Sequence, residues 1–243
     1  RNCDAALAEA VLSSIGARTR RSPLTDYLDA AYEQPCFLLI GNESQGLPAA
    51  YEDECDLLVK MPMLGKADSL NAAVAAARHP HLVARVGLID AAGVRFRDNR
   101  FGIDVLAGEN PFAVDDAASL QRYLDTVFHD RSVQPAIPWP ASRAVIDWRI
   151  AQAPFEQQVL DRIGRGEERF LPGEMAASIR QPALLLWCRQ DRVIDPSAMA
   201  LYARQMPQAI QVSLDGCGHM SIMEKPDDVA AAVALLIQRG TSR

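Results

Sequence analysis

The sequence predicts an α/β fold in which a parallel sheet of about five strands is flanked by helices and carries a helical cap insertion. Two observations support this prediction. Short apolar runs alternate with Ala- and Leu-rich segments, which is the pattern of parallel strands joined by crossover helices. Between about 96 and 178 the alternation stops, and a helical pattern with interspersed Trp, Phe and Pro replaces it. We expect this stretch to form the cap at the carboxyl end of the sheet.

The amino-terminal elements follow from apolar runs and helix signals. A Ser-Pro pair at 22–23 supplies an N-cap and a first-turn proline, which predicts a helix over 23–32. The apolar run at 36–40 predicts a strand buried on both faces, and 56–61 repeats the pattern. A further helix is predicted over 69–77.

The carboxyl-terminal part contains the clearer alternation. Strands are predicted at 83–89, 182–188 and 210–214, and the pattern at 182–188 is that of a buried strand. Helices are predicted between and after these strands, at 196–205 and 227–238, and within the cap at 115–128, 142–151 and 155–163.

Composition places limits on function. The apolar content is 49% and the net charge is −6, and this acidic balance counts against a broad nucleic-acid surface. No run reaches the roughly 20 apolar residues of a membrane span. The five cysteines lack C-x-x-C spacing, which predicts reduced, buried thiols in a cytoplasmic protein and no metal site. The chain begins at Arg1 rather than at a methionine, and we expect a truncated or processed reading frame.

Two glycine-containing loops stand out in the first third of the chain. Residues 39–48 read LIGNESQGLP, and residues 61–75 read MPMLGKADSLNAAVA. In this order and at this spacing they resemble motifs 2 and 3 of the SpoU/TrmH-type RNA 2′-O-ribose methyltransferases, so residues 1–77 resemble the carboxyl half of that family. Glycines permit close backbone approach to a nucleotide-like ligand, and a helix start offers free N–H groups. The resemblance implies a site for S-adenosylmethionine, RNA as a partner and a homodimer.

The same resemblance assigns candidate residues. The candidate cofactor-binding residues are Ile40, Gly41, Asn42, Glu43, Gly46, Met61, Ser69, Leu70 and Asn71. Residues 1–6 read RNCDAA and resemble the end of motif 1, which makes Arg1 the candidate catalytic residue of a methyltransferase. The chain between motifs 1 and 2 is shorter than in the family, so we do not expect the family's trefoil knot to form. The alternative is that 36–77 supplies only two strands and a helix to a shared sheet.

Two loops in the last third carry a second resemblance. Residues 189–195 read RQDRVID after a predicted strand, and residues 215–226 read DGCGHMSIMEKP. They resemble the acid and histidine loops of α/β-hydrolases of the monoacylglycerol lipase and esterase kind, and the likeness extends over 78–238. It implies that Asp191 orients His219, the general base of a serine-type hydrolase acting on a small-molecule ester without a cofactor. Asp195 is the alternative acid, although its position favours a helix cap.

The nucleophile of such a hydrolase is missing from its usual motif. No G-x-S-x-G occurs in the chain, although the family places its serine there, on a turn between strand and helix. The equivalent place reads ADSLN at 67–71, which makes Ser69 the candidate nucleophile and the Leu70 amide an oxyanion donor. Ala67 and Asn71 replace the flanking glycines and would crowd the turn.

Three functions stay open on the sequence alone. The first is a serine carboxylic-ester hydrolase remnant, whose apolar acyl pocket would be formed by Phe101, Phe112, Phe128, Trp139, Trp148 and Phe155. The second is an S-adenosylmethionine-dependent RNA methyltransferase remnant, and the third is a catalytically inactive chimera. In each case we expect a methyltransferase-like segment at 1–77 and a hydrolase-like segment at 78–243, merged into one sheet.

Overall fold

A computed structural model of the chain describes residues 25–26, 59–60, 72–78, 80–81 and 83–239. The chain divides into two compact units, Arg1–Leu70 and Asn71–Arg243. The predicted strand at 36–40 lies outside the described residues.

The first unit contains a short parallel pairing. Thr25–Asp26 (β1) pairs with Val59–Lys60 (β2). β2 falls inside the strand predicted at 56–61. β1 contradicts the helix predicted over 23–32 at these two positions, because pairing with β2 holds the backbone extended and the β-branched Thr25 suits that conformation.

The second unit alternates strands and helices. It begins with α1 (Ala72–Arg78) and β3 (Val86–Ile89). The segment after β3 contains α2 (Arg100–Leu106), α3 (Ala117–Val127), α4 (Ala141–Leu160) and α5 (Leu171–Ala176). The rest of the unit contains β4 (Ala183–Cys188), α6 (Ser197–Gln205), β5 (Ile210–Leu214), α7 (Ser221–Glu224) and α8 (Pro226–Gln238).

The strands of the second unit form a three-stranded parallel sheet in the order β3-β4-β5. All six residues of the central strand β4 are buried. Leu184 and Leu186 pack against α8, whereas Leu185 and Trp187 belong to the larger core on the opposite face. Successive side chains of a strand point to opposite faces, so a strand covered on both sides is apolar throughout. This is why the sequence predicted β4 so clearly.

The expectation of one sheet with about five strands is not met by the described residues. Among those residues, β1 pairs with β2 in the first unit, and β3, β4 and β5 form a parallel sheet in the second. The parallel sheet and the flanking helices are confirmed.

Between β3 and β4 the chain forms helices and loops and no strand. The helices predicted at 142–151 and 155–163 are one helix, α4, which continues through Pro154. A break was predicted there because proline lacks a backbone donor. An ion pair of 3.2 Å between Arg149 and Glu156 spans the proline and supports the continuous helix. The short helices α2 and α5 were not predicted.

Cys188 and Cys217 form a disulfide, with their Cα atoms 5.2 Å apart. Both are fully buried. The prediction of reduced thiols is therefore wrong for this pair. Cys188 ends β4 and Cys217 follows β5, so the two meet through the adjacency of parallel strands, which no short sequence spacing indicates.

Among the residues that the structure describes, every helix is too short or too polar to cross a lipid bilayer.

Candidate active site

The loops that follow β4 and β5 bring Asp191 and His219 together. The carboxyl ends of adjacent parallel strands lie at the same edge of a sheet, which is where loops from different strands can converge. His219 Nδ1 lies 3.0 Å from Asp191 Oδ2. The Asp191 side chain is fully buried, whereas 26% of the His219 side chain is exposed. The imidazole therefore connects a buried carboxylate to accessible space.

The orientation of Asp191 is set by its own loop. Its Oδ1 accepts hydrogen bonds from the backbone N–H groups of Val193, at 2.8 Å, and Ile194, at 3.0 Å. Since Oδ1 is occupied in this way, Oδ2 is directed at the imidazole. A carboxylate on Nδ1 holds the proton on that nitrogen and leaves Nε2 free to accept another.

The alternative acid, Asp195, has a different role. Its Oδ1 accepts a hydrogen bond of 2.9 Å from the backbone N–H of Ser197 at the start of α6. An acceptor at a helix start satisfies one of the free N–H groups there. Asp195 therefore binds the first N–H of α6, from the residue before its N-cap Pro196, and not His219.

Two opposing effects act on the pKa of His219. Burial by itself would lower it, because the charged form loses solvation. The hydrogen bond and negative charge of Asp191, with the charges of Asp90 and Glu224, outweigh burial and raise the pKa above its ordinary value. The site therefore favours the imidazolium form that a general base acquires when it takes a proton.

Glu224 anchors the loop that carries His219. Its carboxylate is buried, with 6% of the residue exposed. Oε2 accepts a hydrogen bond of 2.6 Å from the Gly218 N–H, and Oε1 accepts bonds of 2.7 Å from the N–H groups of His129 and Asp130. The histidine loop is thereby tied to the chain that follows α3. The sequence showed Glu224 only as part of a loop motif and did not reveal this role.

The same junction requires a glycine at 218. A Cβ there would lie 2.8 Å from the His129 backbone nitrogen and 3.0 Å from the Val127 carbonyl oxygen. Next to it, the Met220 N–H donates a hydrogen bond of 3.1 Å to the Val127 carbonyl. The loop and the end of α3 are thus joined by direct backbone contact.

A cavity of about 370 Å³ opens beside His219. Its walls are mostly apolar and come largely from the segment between β3 and β4, with Phe96, Phe101, Val105, Phe112, Leu160 and Phe170 among the lining residues. Of the aromatic residues predicted to form an acyl pocket, Phe101 and Phe112 line it. Phe128 belongs to the core instead, and Trp139 is 81% exposed. Phe96 and Phe170 were missed because nothing in their sequence context separates wall residues from core residues.

Two arginines also border the cavity. The guanidinium groups of Arg95 and Arg169 lie 4.3 and 4.7 Å from the centre of the Phe170 ring. Arrangements of this kind stabilise a cation against an aromatic face. They place two positive charges at the border of the apolar cavity.

Asp191 and His219 are the predicted site residues that the structure brings together. The other predicted site residues lie outside the described part of the chain: Arg1, Ile40, Gly41, Asn42, Glu43, Gly46, Met61, Ser69, Leu70 and Asn71.

Comparison with known proteins shows two families along the chain. The SpoU rRNA Methylase family matches residues 1–78, and the alpha/beta hydrolase fold family matches residues 69–226. A putative TrmH family tRNA/rRNA methyltransferase of Staphylococcus haemolyticus is 48% identical over 52 residues, which are 21% of this chain and 21% of that protein. A monoacylglycerol lipase of Rattus norvegicus is 26% identical over 194 residues, 74% of this chain and 56% of the lipase. The chain thus spans about half the length of the lipase and a fifth of that of the methyltransferase.

Solved structures support the hydrolase part. A membrane phospholipase A described as a bacterial virulence factor has a TM-score of 0.61 and 32% identity, covering 68% of this chain and 52% of that one. A putative lipase from Acinetobacter baumannii has a TM-score of 0.59 and 22% identity, covering 68% of this chain and 56% of that one, and its likeness concerns the fold alone. The chain is a chimera of two families, and because the hydrolase match covers more than half of its residues, it belongs to the alpha/beta hydrolase fold family.

Proposed function

We propose that this protein is a serine-type hydrolase of carboxylic esters with an apolar acyl group. The observation that carries the proposal is the 3.0 Å contact between His219 Nδ1 and Asp191 Oδ2 beside a mostly apolar cavity of about 370 Å³. Ligand cavities of this size and character typically hold small organic molecules. The similarity to a monoacylglycerol lipase and to a phospholipase A supports the same reaction class.

In this reaction His219 Nε2 takes the proton of a hydroxyl nucleophile as the oxygen attacks the ester carbonyl. The proton then passes to the departing alcohol, and water repeats the sequence to release the acid. Asp191 holds the ring in position and stabilises its charged form. The reaction requires no cofactor.

Ser69 is our proposed nucleophile, with the Leu70 amide as one oxyanion donor. We expect this amide to contribute strongly to turnover, because losing one oxyanion donor typically lowers kcat by about 10²–10³.

The test is the hydrolysis of p-nitrophenyl octanoate by purified protein. We expect Ser69→Ala, His219→Gln and Asp191→Asn each to lower kcat/KM by at least about 100-fold. Asp195→Asn is the matched control, because it removes a carboxylate from the same loop without touching His219. Equal turnover by all five proteins would contradict the proposal. Loss of activity in His219→Gln with full activity in Ser69→Ala would move the nucleophile to another residue.

The role of the cavity is tested separately. Val105 is buried and lines the cavity, so Val105→Phe should fill part of it. We expect kcat/KM for the octanoate to fall by about tenfold while that for the acetate changes little, since one or two lost methylene contacts are worth about 1–3 kcal/mol. Val133→Phe, at an exposed position, is the control. Equal effects on both esters would show that the cavity does not recognise the acyl chain.

A second candidate function rests on the SpoU match over residues 1–78. Binding of S-adenosylmethionine would involve the loops at 40–46 and 61–71, and Arg1 would serve the methylation of an RNA ribose. These residues lie outside the described part of the chain. The test therefore concerns the binding of S-adenosylmethionine and not the methylation step. Titration calorimetry should show binding that Gly46→Ala or Asn71→Ala weakens. A protein that shows neither binding nor ester turnover is the inactive chimera, and size-exclusion chromatography tests the expected homodimer.

A further inference from the structure

Asp90 is a buried carboxyl group for which the proposed reaction has no role. It follows β3 directly, at the same sheet edge where the Asp191 loop follows β4. Its backbone N–H donates to the Leu186 carbonyl at 2.9 Å, and its Oδ1 accepts from the Cys188 N–H at 3.0 Å. Only 5% of the residue is exposed, and it lines the same cavity as His219.

The backbone of Asp90 is held in an unusual conformation. Its φ angle is +46°, in the left-handed region that residues other than glycine enter at a cost of roughly 1–2 kcal/mol. Aspartate is among the side chains that tolerate this region best. The surrounding structure must impose such a conformation, and residues of this kind concentrate at functional sites.

One oxygen of the carboxyl group has no hydrogen bond. Asp90 Oδ2 is buried without a partner among the described residues, and so is the hydroxyl of Ser221. The two groups lie close enough for Ser221 to favour the charged carboxylate, but they do not reach hydrogen-bond geometry. A buried acceptor without a partner is costly, so its presence needs a reason.

The charge of Asp90 affects the pKa of His219, and the charge of His219 affects the pKa of Asp90. Burial raises the pKa of Asp90 to about 6, with the charge of Asp191 adding to the rise. Ser221, the Cys188 N–H and His219 act in the opposite direction. The negative charges that act on His219 are those of Asp191, Asp90 and Glu224, and all three favour its charged form.

We propose that Asp90 is a positioning residue for His219, because both residues line the same cavity at one edge of the sheet and Asp90 Oδ2 has no hydrogen-bond partner among the described residues. Its carboxylate stabilises the imidazolium from the β3 side, in addition to the stabilisation that Asp191 provides from the β4 side. The consequence for catalysis rests on the proposed hydrolase function, but the interaction itself does not depend on turnover.

The test is an NMR titration of the His219 ring in ¹³C-histidine-labelled protein. Asp90→Asn retains the size of the side chain and an oxygen for the Cys188 N–H while removing the charge. In the unsubstituted protein we expect His219 to show a second inflection near pH 6, since interacting groups titrate together and burial raises the pKa of Asp90 to about that value. In Asp90→Asn we expect one inflection and at least a threefold lower proton affinity of the ring. Asp98 is an exposed carboxylate that lines the same cavity. Its substitution Asp98→Asn is the control and should change neither the number of inflections nor the proton affinity of the His219 ring.

Identical titration of His219 with and without the Asp90 charge would overturn the proposal. If Asp90→Asn does not fold, the carboxyl carbon of Asp90 can be titrated in the unsubstituted protein. An Asp90 titration step with no matching response of the His219 ring would overturn the proposal equally.

The two proposals fail in different ways. A shifted ring titration in a protein without ester turnover would retain the Asp90 interaction and remove the hydrolase function. Ester turnover in a protein whose His219 ring titrates identically with and without the Asp90 charge would retain the hydrolase function and remove the Asp90 interaction. In an active protein, the acid limb of the kcat/KM profile of Asp90→Asn should move to lower pH, because the neutral, basic form of His219 then persists to lower pH.

Discussion

The sheet edge and the helical segment between β3 and β4 border the same cavity but are built differently. Strand β4 is buried at all six positions, and the acid that follows it is held by backbone hydrogen bonds. The helical segment has many exposed apolar side chains, including Ile103, Leu106, Trp139, Trp148, Ile150 and Ile163. The contact between Asp191 and His219 therefore depends on the tightly packed sheet, whereas the shape of the cavity depends on a helical segment with more exposed apolar side chains.

The largest expected difference between the two regions is in core packing. Leu185 in β4 is fully buried, so Leu185→Ala should lower the free energy of unfolding by about 2–5 kcal/mol, because it leaves a cavity. Urea denaturation measures this change. Leu185→Met, which conserves volume, should lose less than about 1.5 kcal/mol. Equal losses in the two variants would mean that packing at β4 is not tight.

The next effect concerns a charge at the sheet edge. The pKa of Asp90 is raised from 3.8 to about 6, so the folded state holds this proton more tightly than the unfolded state does. Stability from this group is present at low pH and is lost as the pH rises from about 4 to about 6. Relative to the unsubstituted protein, Asp90→Asn should gain up to about 3 kcal/mol across that window, at about 1.4 kcal/mol per pKa unit. Urea denaturation at several pH values tests this, and parallel curves would contradict it.

The next prediction concerns the contact that Glu224 makes between the histidine loop and the chain that follows α3. Glu224→Gln keeps the shape of the side chain but leaves an NH₂ group facing at least one backbone N–H, so we expect a loss of about 1.5–3 kcal/mol. Faster hydrogen exchange at the amides of Gly218 and His129 should accompany it. Glu174→Gln on α5 is exposed and should be neutral. An unchanged exchange rate at Gly218 would show that the carboxylate does not hold the loop.

A smaller effect on stability is expected at the start of α3, in the helical segment between β3 and β4. Asp116 and Ser119 form a capping box at the start of α3, in which the Ser119 hydroxyl accepts a hydrogen bond of 2.9 Å from the Asp116 N–H. Ser119→Ala should cost about 1 kcal/mol in thermal or urea unfolding. Arg122→Ala on an exposed turn of the same helix is the control, and a larger loss there would contradict the role of the cap.

The smallest effect is expected on the exposed face of α4. Ile150 is 48% exposed, and Ile150→Ala should change the free energy of unfolding by no more than about 0.5 kcal/mol. A loss above about 1.5 kcal/mol would show that this face is covered in the folded protein and would remove the contrast with β4.

The sequence predicted those parts whose signal is local. β5 was predicted over its full length, and β4 and α8 to within a residue, because continuous apolar runs and helix periodicity survive in any context. The two loop motifs also predicted that Asp191 and His219 lie together, and their side chains are in contact. The disulfide, the role of Glu224 and the contact of Asp90 with β4 were not predicted. Each depends on strands or loops that are far apart in the chain and become adjacent only in the folded state. Phe101 and Trp139 make the same point, since both are aromatic but only the fold decides which one lines the cavity.

The backbone junction between the histidine loop and the end of α3 has a mechanical consequence. The Met220 N–H is bonded to the Val127 carbonyl at the end of α3, and Glu224 binds both the Gly218 N–H and the His129 N–H. An outward displacement of α3 would therefore pull on the residues on either side of His219 and displace its ring. In the proposed hydrolase, we expect a substrate that displaces α3 on entry to react only after α3 has returned.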